Sequence, residues 1–387
     1  MKKQTKRILN ICIIALAIVF LYWLNANTSK QGMLVAILQK SAILAIAAVS
    51  MNLLNGFTGL FSLGQAGFMS IGAYVTSILV IPAENLNGIY YMTGVNQGLL
   101  NFRMAMANCP PWVQSFFPFL AILAGGLAAA LFAALIGMPV LRLKSDYLAI
   151  ATLGFSEIIR AVFSSPQMDS ITNGSYGLKS VPNFPEMAGG LIPSLVTPFL
   201  IAAICILLMV LLINSSYGRA FKSIREDEIA AEAMGVNLLK HKELAFTASS
   251  FFTAVAGGLL AMYMRSIEAK TFSIALTYDI LLIVVIGGIG SVSGSILSAF
   301  LVTAGKEWWL RFFDTPLYIG TWQAPLFRTG FRMVIFSILL MVVVLFYRRG
   351  LMGTNEFSWQ GIMRFPQWFR RKFLKRKGAP PKGGDDT

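Results

Sequence analysis

Histidine occurs once and cysteine three times among the 387 residues, and Asp, Glu, Lys and Arg together make up only 13% of them. Cys12 and Cys205 lie inside apolar runs and Cys109 in a polar stretch, so neither a disulfide framework nor a metal cluster is indicated. His241 lies among charged residues, where a solvated surface position is the simplest interpretation. No G-x-x-x-x-G-K-[ST] motif is present, which excludes a P-loop of the chain's own. We therefore predict no catalytic residue, no metal site and no cofactor.

Apolar residues dominate what remains: 56% of the chain is hydrophobic and its mean hydropathy is +0.68. A soluble domain has about a quarter of its residues charged. Several apolar runs of about 20 residues are long enough to cross a bilayer as helices. These runs are continuous and do not alternate, which excludes a transmembrane β-barrel. The predicted fold class is an all-α, polytopic transmembrane bundle with about 8–10 membrane segments, at least one of them broken or re-entrant.

The first apolar run, Ile8–Leu24, follows a basic N-terminus but is not followed by a small-residue cleavage site. It predicts an uncleaved first span with the N-terminus on the cytoplasmic side. The second run, Met33–Leu54, contains Lys40, which either snorkels toward an interface or faces the interior of the bundle. A long stretch with several asparagines and prolines, Pro82–Pro111, is predicted to be a loop, and the order of the spans places it outside.

The formal net charge of +15 is concentrated beside the spans and at the C-terminus. Basic residues beside spans favour the cytoplasmic side and anionic lipid. Aromatic and basic residues also interleave in the tail, a pattern that can bind nucleic acid, but attachment to a membrane span favours lipid and no nucleic-acid partner. We expect residues 1–350 to form the membrane domain and residues 351–387 a basic cytoplasmic tail that is partly disordered.

The charged segment 215–244, between two apolar runs, contains the pattern of a short helix over 226–234. Glu226, Asp227 and Glu228 place negative charge at its expected N-terminus, and Gly235 follows as a natural C-terminal residue. Its apolar residues recur at helical spacing on one face: Ile229, Ala230, Ala233 and Met234. From the residues alone, this helix is either a connector lying on lipid headgroups or a cytoplasmic docking element.

Small and polar residues are interspersed through the apolar stretch Gly56–Leu79. Small residues allow close helix packing in lipid, and polar ones need partners inside the bundle. An irregular glycine-rich segment is tolerated only where it is buried or lines a cavity. The two interpretations are tight packing and a translocation path, and the candidate path residues are Ser62, Gly64, Gln65, Gly67 and Gly72.

The run Leu276–Leu301 contains IGGIGSVSG at Ile286–Gly294, with four glycines and two serines in nine residues. Each interior glycine costs a helix about 1 kcal/mol relative to alanine. We predict a break there, so that two half-helices enter and leave on one face of the membrane. Such a re-entrant pair adds no net crossing of the membrane, so the number of crossings agrees with a cytoplasmic C-terminus, unless an earlier span is miscounted. Broken helices mark substrate paths in transporters, which makes Gly287, Gly288 and Gly290 candidates.

The run Ser145–Phe163 is only moderately apolar and contains Asp146, Glu157 and Arg160. Glu157 and Arg160 are three residues apart and can pair on a helix. Within the hydrocarbon such a pair indicates function, whereas at an interface it is an ordinary surface pair. The segment Thr172–Leu178 contains Asn173-Gly174, which predicts a turn. The turn is either a plain connection or part of a surface that receives substrate.

Three segments resemble permeases of ATP-binding-cassette importers. GRAFKSIREDEIAAEAMGVN is similar to their EAA-type loop, whose short helix docks on the ATPase. SLGQAGFMSIGAY and LRLKSDYLAIATLGFSEIIR resemble the permeases of branched-chain amino acid importers, the LivM type, within a wider family that includes urea and amide permeases. The resemblance covers residues 40–350 and implies the following ATPase-coupling residues: Arg225, Glu226, Glu228, Ala230, Ala231, Glu232, Ala233 and Gly235.

The resemblance implies a heteromeric importer in the bacterial plasma membrane, with both termini of this chain cytoplasmic. Its expected partners are two P-loop ATPase subunits, a second homologous permease, an extracytoplasmic solute-binding protein and membrane lipid. The expected solutes are leucine, isoleucine and valine. Urea or a short-chain amide is the alternative within the family. An ion-coupled transporter would need intramembrane carboxylates, for which Asp146, Glu157 and Asp279 are the candidates, and a membrane enzyme would need a catalytic cluster that the sequence lacks.

Overall fold

The computed structural model describes residues 19–25, 28–91, 94–143, 145–184, 193–310, 318–319, 322–323, 331–346, 350–353 and 356. These residues are almost entirely helical, and residues 19–25 are a helix at the end of the predicted first span. The rest of that span and most of the predicted tail lie outside the described residues. The helices of the first half are α1 (Thr28–Asn52), α2 (Gln65–Val80), α3 (Ala83–Ile89), α4 (Gln97–Ala107), α5 (Pro111–Val140), α6 (Ser145–Phe163) and α7 (Asp169–Thr172).

The second half continues the helical order and adds one small pairing of strands. Its helices are α8 (Val196–Asn214), α9 (Ser216–Glu226), α10 (Glu228–Ala233), α11 (Leu238–Met264), α12 (Ile274–Gly287), α13 (Val292–Glu307) and α14 (Phe331–Phe346). Strands β1 (Tyr318–Ile319) and β2 (Trp322–Gln323) pair antiparallel between α13 and α14. A π-helical turn, Leu53–Phe57, extends α1, and 3₁₀ turns occupy Pro166–Met168, Gly174–Tyr176 and Ala269–Phe272.

Four helical segments among the described residues are long and apolar enough to cross a membrane: Gln31–Phe57, Pro111–Val140, Val196–Asn214 and Leu238–Met264. Two bent pairs of helices raise the number to six if each pair is one span. The α2–α3 pair is bent by 118°, and the α6 segment Tyr147–Phe163 is bent by 59° from Pro166–Thr172. The predicted polytopic helical bundle with broken helices is confirmed.

The centre of the bundle is α11, which packs against α1, α2 and α5. Glycines allow these helices to approach closely. A Cβ added at Gly257 of α11 would lie 2.0 Å from the carbonyl oxygen of Met69 on α2, and one at Gly72 would lie 2.0 Å from that of Ala254. The helix contacts in this region therefore depend on the absence of side chains.

The stretch Pro82–Pro111, predicted to be a loop, contains the two helices α3 and α4. Arg103 of α4 holds them against the end of α2, because its guanidinium donates to the carbonyl oxygens of Leu79, Val80 and Ile81 at 2.5, 3.0 and 2.7 Å. These are carbonyls that a helix end leaves without intrahelical partners. Burial lowers the pKa of the Arg103 guanidinium from its ordinary value.

Substituting Gly257→Ala is expected to destabilise the protein by about 1–3 kcal/mol, because the added methyl group overlaps the backbone of α2. Thermal unfolding in detergent measures the effect. Gly154→Ala is the matched control, since a Cβ there meets nothing within 4 Å and Gly154 lies in the interior of α6. This control should be neutral or stabilising by up to about 1 kcal/mol. Equal unfolding temperatures for the two variants would contradict the packing argument.

Candidate coupling and translocation sites

The charged segment folds into two helices, where one helix over 226–234 was predicted. Helix α9 ends at Glu226 and α10 begins at Glu228. Asp227 is in an extended conformation between them, and its carboxylate accepts hydrogen bonds from the N–H groups of Ile229 and Ala230 at 2.9 and 3.0 Å. Asp227 is therefore the N-cap of α10, a position that aspartate favours. The predicted start was wrong by two residues because the cap competes with helix continuation.

The C-terminus of α10 is a Schellman motif, as the glycine suggested. The N–H of Val236 donates to the carbonyl of Ala231 at 3.1 Å, and the N–H of Gly235 donates to that of Glu232 at 2.9 Å. Gly235 has φ of +84°, a left-handed conformation that strongly favours glycine. The predicted C-terminal role of Gly235 is confirmed. Helix α10 is short, but both of its ends are closed by hydrogen bonds.

Helix α10 presents an apolar face to its surroundings. Ile229 is 82% exposed and Met234 is 84% exposed. The alanines Ala230 and Ala233 are exposed beside them, whereas Ala231 is buried against the rest of the chain. Large apolar side chains this accessible, on a helix held at both ends, are characteristic of a contact surface for another molecule.

Helix α10 is fixed to the bundle by an ion pair. The ammonium group of Lys242, near the start of α11, donates to a carboxylate oxygen of Glu228 at 2.6 Å. The Lys242 side chain is only 10% exposed and that of Glu228 is 50% exposed. This pair therefore joins α10 to the central helix of the bundle, which packs against α1, α2 and α5.

Arg225, at the end of α9, contacts the π-helical turn that extends α1. Its guanidinium donates to the carbonyl oxygen of Gly56 in the π-helical turn at 2.7 Å. Its side chain lies against Gly59 and Gly290, where added Cβ atoms would approach it to 2.9 and 3.1 Å. Glu226 pairs with the same guanidinium at 3.5 Å. The charged segment is thus in direct contact with the glycine-rich break.

The predicted break within Leu276–Leu301 is confirmed: α12 ends at Gly287 and α13 begins at Val292. Gly288 and Gly290 have φ of +114° and +92°, conformations that other residues rarely adopt. The Ser298 hydroxyl donates to the carbonyl of Ile283 at 2.6 Å, and an added Cβ at Gly287 would lie 2.6 Å from the backbone of Gly294. These contacts make α12 and α13 an antiparallel hairpin.

A buried amide that the sequence analysis did not identify holds this break. The side-chain oxygen of Asn52, in α1, accepts from the N–H of Gly290 at 2.8 Å. Its amide nitrogen donates to the Ser291 carbonyl at 2.9 Å and to the Ser295 hydroxyl at 2.8 Å. Asn52 is completely buried. The signal in the sequence is an amide near the end of a largely apolar run, but its partners are more than 230 residues away.

Residues C-terminal to the last span close the same break. The N–H groups of Leu351 and Met352 donate to the carbonyls of Ile286 and Gly287 at 2.7 and 3.2 Å. The Glu356 carboxylate accepts from the N–H groups of Val292 and Ser293 at 2.7 and 3.0 Å. The end of α12 and the start of α13 are therefore capped from a distant part of the chain. A cavity of about 530 Å³ lies beside them, and its lining includes Lys222, Arg225 and Glu356.

The candidate path residues of α2 lie in the packed interior. The Gln65 amide donates to the Ser249 hydroxyl at 3.3 Å and accepts from that of Thr253. Thr253 is in turn bonded to Ser50 at 2.7 Å. Gln65 is 2% exposed, so the structure gives each polar group in this network a partner inside the bundle.

The other small residues of this stretch make helix contacts. An added Cβ at Gly64 would lie 3.1 Å from the carbonyl oxygen of Thr152, and one at Gly67 would lie 2.8 Å from the Cα of Ser156, both on α6. Ser62 is 1% exposed, in the irregular segment that precedes α2. Close packing accounts for these positions, and their role in a path stays a prediction.

The turn at Asn173-Gly174 forms as predicted. Asn173 has φ of +56°, and its amide donates to the carbonyl of Gly177 at 2.7 Å. Leu178 then pairs through both backbone groups with Ile267, beyond the end of α11. The predicted pair of Glu157 and Arg160 also forms, at 2.7 Å, with both side chains about one third exposed. The structure brings neither group near the glycine break.

Comparison with known proteins extends over most of the chain. Residues 33–345 match the family described as branched-chain amino acid transport system permease component. The high-affinity branched-chain amino acid transport system permease protein LivM of Escherichia coli is 30% identical over 323 residues, which cover 77% of this chain and 67% of that protein. The corresponding protein of Salmonella typhimurium is 30% identical over 291 residues, with 68% and 61% covered.

A more distant relative transports a different solute by its printed name. The guanosine ABC transporter permease protein NupQ of Bacillus subtilis is 25% identical over 215 residues, which cover 53% of this chain and 59% of that protein. The chain spans about three fifths to two thirds of the length of these three relatives. No solved structure matches the chain.

Replacing Asn52→Leu is expected to lower the free energy of unfolding by about 1–3 kcal/mol, because the N–H of Gly290 and its neighbours lose their buried partner. Thermal unfolding of the purified protein measures the loss. Ser295→Ala is the control: it removes one acceptor of the Asn52 amide and leaves the Ser291 carbonyl in place, so its cost should be about 0.5–1 kcal/mol. A neutral Asn52→Leu variant would show that the amide does not hold the break.

Proposed function

Since the chain belongs to the family of branched-chain amino acid transport permease components, we propose that it forms half of the membrane pathway of an ATP-driven importer of leucine, isoleucine and valine. A multi-pass permease is a transport component and not an enzyme. One set of contacts carries the proposal. The exposed, capped helix α10 follows shortly after Arg225, and Arg225 contacts the broken membrane helix at Gly290 and the neighbouring turn at Gly56.

Helix α10 is the proposed docking element for the ATPase. Its exposed Ile229 and Met234 supply apolar contact area, and its acidic residues Glu228 and Glu232 surround that area with charge. Such an arrangement, an apolar centre with a polar rim, is typical of protein–protein contacts. The proposed coupling residues are those that the sequence motif contains: Arg225, Glu226, Glu228, Ala230, Ala231, Glu232, Ala233 and Gly235.

The mechanism follows from the two connections of this segment. The Glu228–Lys242 pair joins α10 to α11, and the Arg225–Gly56 hydrogen bond joins α9 to the turn beside the glycine break. When the ATPases close, a displaced α10 moves α11 and the hairpin of α12 and α13 together. Helices joined at glycines can change their angle without breaking hydrogen bonds in either helix. This motion alternates the access of the pathway between the two sides of the membrane.

The proposed assembly contains two P-loop ATPase subunits, a second homologous permease and an extracytoplasmic binding protein that delivers the solute. We place the complex in the bacterial plasma membrane, with both termini of this chain cytoplasmic. The predicted tail begins at residue 351, but Leu351, Met352 and Glu356 contact the glycine break, so the basic segment that we propose on the lipid surface lies beyond Glu356. The proposed pathway residues are Ser62, Gly64, Gln65, Gly67, Gly72, Asn173, Gly174, Gly287, Gly288 and Gly290. Among them, Gly288 and Gly290 have the strongest support, since they adopt conformations that few other residues reach.

Ion-coupled transport is the less favoured candidate from another class. It needs carboxylates that are available to bind a cation in the membrane. Glu157 is paired with Arg160 and Asp279 with Lys306, at 2.7 and 2.6 Å, so an inorganic cation bound to either carboxylate would leave a basic side chain without its partner. Within the family, urea or a short-chain amide is the alternative solute, and the guanosine permease shows how far solutes vary among relatives.

The substitution Glu232→Arg is expected to abolish ATP-dependent uptake while the protein still inserts into the membrane, because it reverses charge on the docking surface. Gly235→Pro should do the same, since proline cannot adopt φ of +84° and lacks the N–H that closes the helix. Uptake of labelled leucine into cells and the amount of protein in the membrane are the two measurements. Glu84→Arg, an exposed acid in the outer helix α3, is the matched control and should transport normally. Normal uptake by the Glu232 and Gly235 variants would refute the coupling assignment.

Purification of the chain from its native membrane in mild detergent is expected to bring down a P-loop ATPase and a second permease in fixed proportion. Mass spectrometry identifies the partners, and a vanadate-sensitive ATPase assay shows that they are active. Reconstituted complexes should then accumulate leucine, isoleucine or valine only when ATP and the binding protein are both supplied. A chain that purifies alone and without ATPase activity would contradict the proposed function.

A further inference from the structure

A second, smaller cavity lies at the opposite end of the α12–α13 hairpin from the glycine break. Its volume is about 160 Å³, below the range of about 300–1,000 Å³ in which drug-sized ligands bind. Two ion pairs line it. Lys40 of α1 contacts Glu307 of α13 at 2.6 Å, and Lys306 of α13 contacts Asp279 of α12 at 2.6 Å. Three helices thus bring two cations and two anions to one small space.

Charged side chains within membrane helices are costly and indicate function unless they lie at an interface. Lys40 lies near the middle of α1 and faces the bundle, so of the two possibilities raised by the sequence the interior one applies. The Lys306 ammonium also lies 5.7 Å from the centre of the Phe336 ring, on α14. The side chains of these two pairs are between 20% and 41% exposed, which leaves them accessible to a small solute.

An unpartnered hydroxyl supplies an independent indication of a ligand. Thr303 of α13 is 3% exposed, lines the cavity, and its Oγ1 has no hydrogen-bond partner among the described residues. Leaving a buried polar group unsatisfied costs about 1–3 kcal/mol. The hydroxyl is one turn of α13 from Lys306, on the side that faces the cavity. A solute oxygen in the cavity would satisfy it.

Most of the remaining lining is aliphatic. Leu44, Leu260, Leu276, Ile283 and Val302 contribute to it, from the four helices α1, α11, α12 and α13, and Met264 and Thr271 complete the wall. A cavity with balanced charges on one part of its wall and mainly branched aliphatic side chains on the rest matches a small molecule of the same composition. Such a molecule carries one positive group, one negative group and an apolar side chain.

We infer that this cavity is a binding station for an α-amino acid with an aliphatic side chain, bound as the zwitterion, a conclusion that rests on the proposed function. The solute carboxylate exchanges with a side-chain carboxylate for Lys306 or Lys40 and accepts from the Thr303 hydroxyl. Its ammonium group is bound by Asp279 or Glu307. Because the solute adds one charge of each sign, the cavity stays neutral when it binds. Urea, amides and nucleosides have no charges for these pairs to recognise.

The test is Thr303→Val in the complete transporter, reconstituted with its ATPases and binding protein. Since the hydroxyl has no partner among the residues that the structure describes, removing it should leave the unfolding temperature unchanged or raised. Uptake of labelled leucine below saturation should fall about tenfold, because a hydrogen bond to a charged group is lost. The ATPase rate in response to the loaded binding protein should stay within about twofold of wild type, since docking is untouched.

Two further variants make the result specific. Thr303→Ser keeps the hydroxyl and should restore uptake. Ser77→Ala is the matched control, since it deletes another fully buried, unpartnered hydroxyl, in α2 and away from the cavity, and it should transport like wild type. Wild-type leucine uptake by Thr303→Val, or equal losses for Thr303→Val and Ser77→Ala, would overturn the binding station alone. A wild-type complex without ATP-dependent amino acid uptake would instead overturn the proposed function.

Equilibrium binding of labelled leucine to the complex without binding protein gives a second readout. We expect leucine to bind and unlabelled valine to compete, while urea and guanosine do not. Neutralising one ion pair through the double substitution Asp279→Asn and Lys306→Met should weaken leucine binding by at least about tenfold while the protein remains folded, since no charge is left unpaired. Undiminished binding by this double variant would also overturn the station.

Discussion

The structure depends on satisfying the backbone groups at one helix break, since a buried N–H or C=O group without a partner is costly. The end of α12 and the start of α13 both leave such groups open, and two distant parts of the chain, α1 and the segment after the last span, supply the partners. Asn52 bonds the turn itself, the N–H groups of Leu351 and Met352 reach α12, and the Glu356 carboxylate caps α13. Each of these contacts fixes another element in place. The hydrogen bonds to this one turn therefore fix α1 and the segment after the last span relative to the α12–α13 hairpin.

The break between α12 and α13 is therefore an ordered turn with defined hydrogen-bond partners. Gly288 and Gly290 allow the backbone to turn, and Arg225 lies directly against that turn through its bond to Gly56. A segment that contacts the tip of a hairpin can tilt both of its helices with a small displacement. At the far end of the same hairpin, the pairs Lys40–Glu307 and Lys306–Asp279 lie about a cavity. The hairpin thus has Arg225 at its tip and the charged cavity at its base.

The sequence was sufficient for features that arise locally. The glycine content of Ile286–Gly294 predicts the break, the Gly235 position predicts the end of α10, and the apolar runs predict the spans, because in each case the cause lies within a few residues. The start of α10 was misplaced because Asp227 caps the helix from outside it. The roles of Asn52 and Glu307 could not be predicted, since their partners are brought near only by the packing of the whole bundle.

The bonds from residues beyond the last span to the glycine break have a consequence for biosynthesis. A chain emerging from the ribosome makes α12 and α13 well before it makes residues 350–353 and Glu356. Until then the hairpin has open helix ends and cannot reach its final geometry. The hairpin can therefore be completed only after residues 350–356 have been synthesised. A product truncated before residue 350 keeps unpaired backbone groups at the end of α12 and at the start of α13.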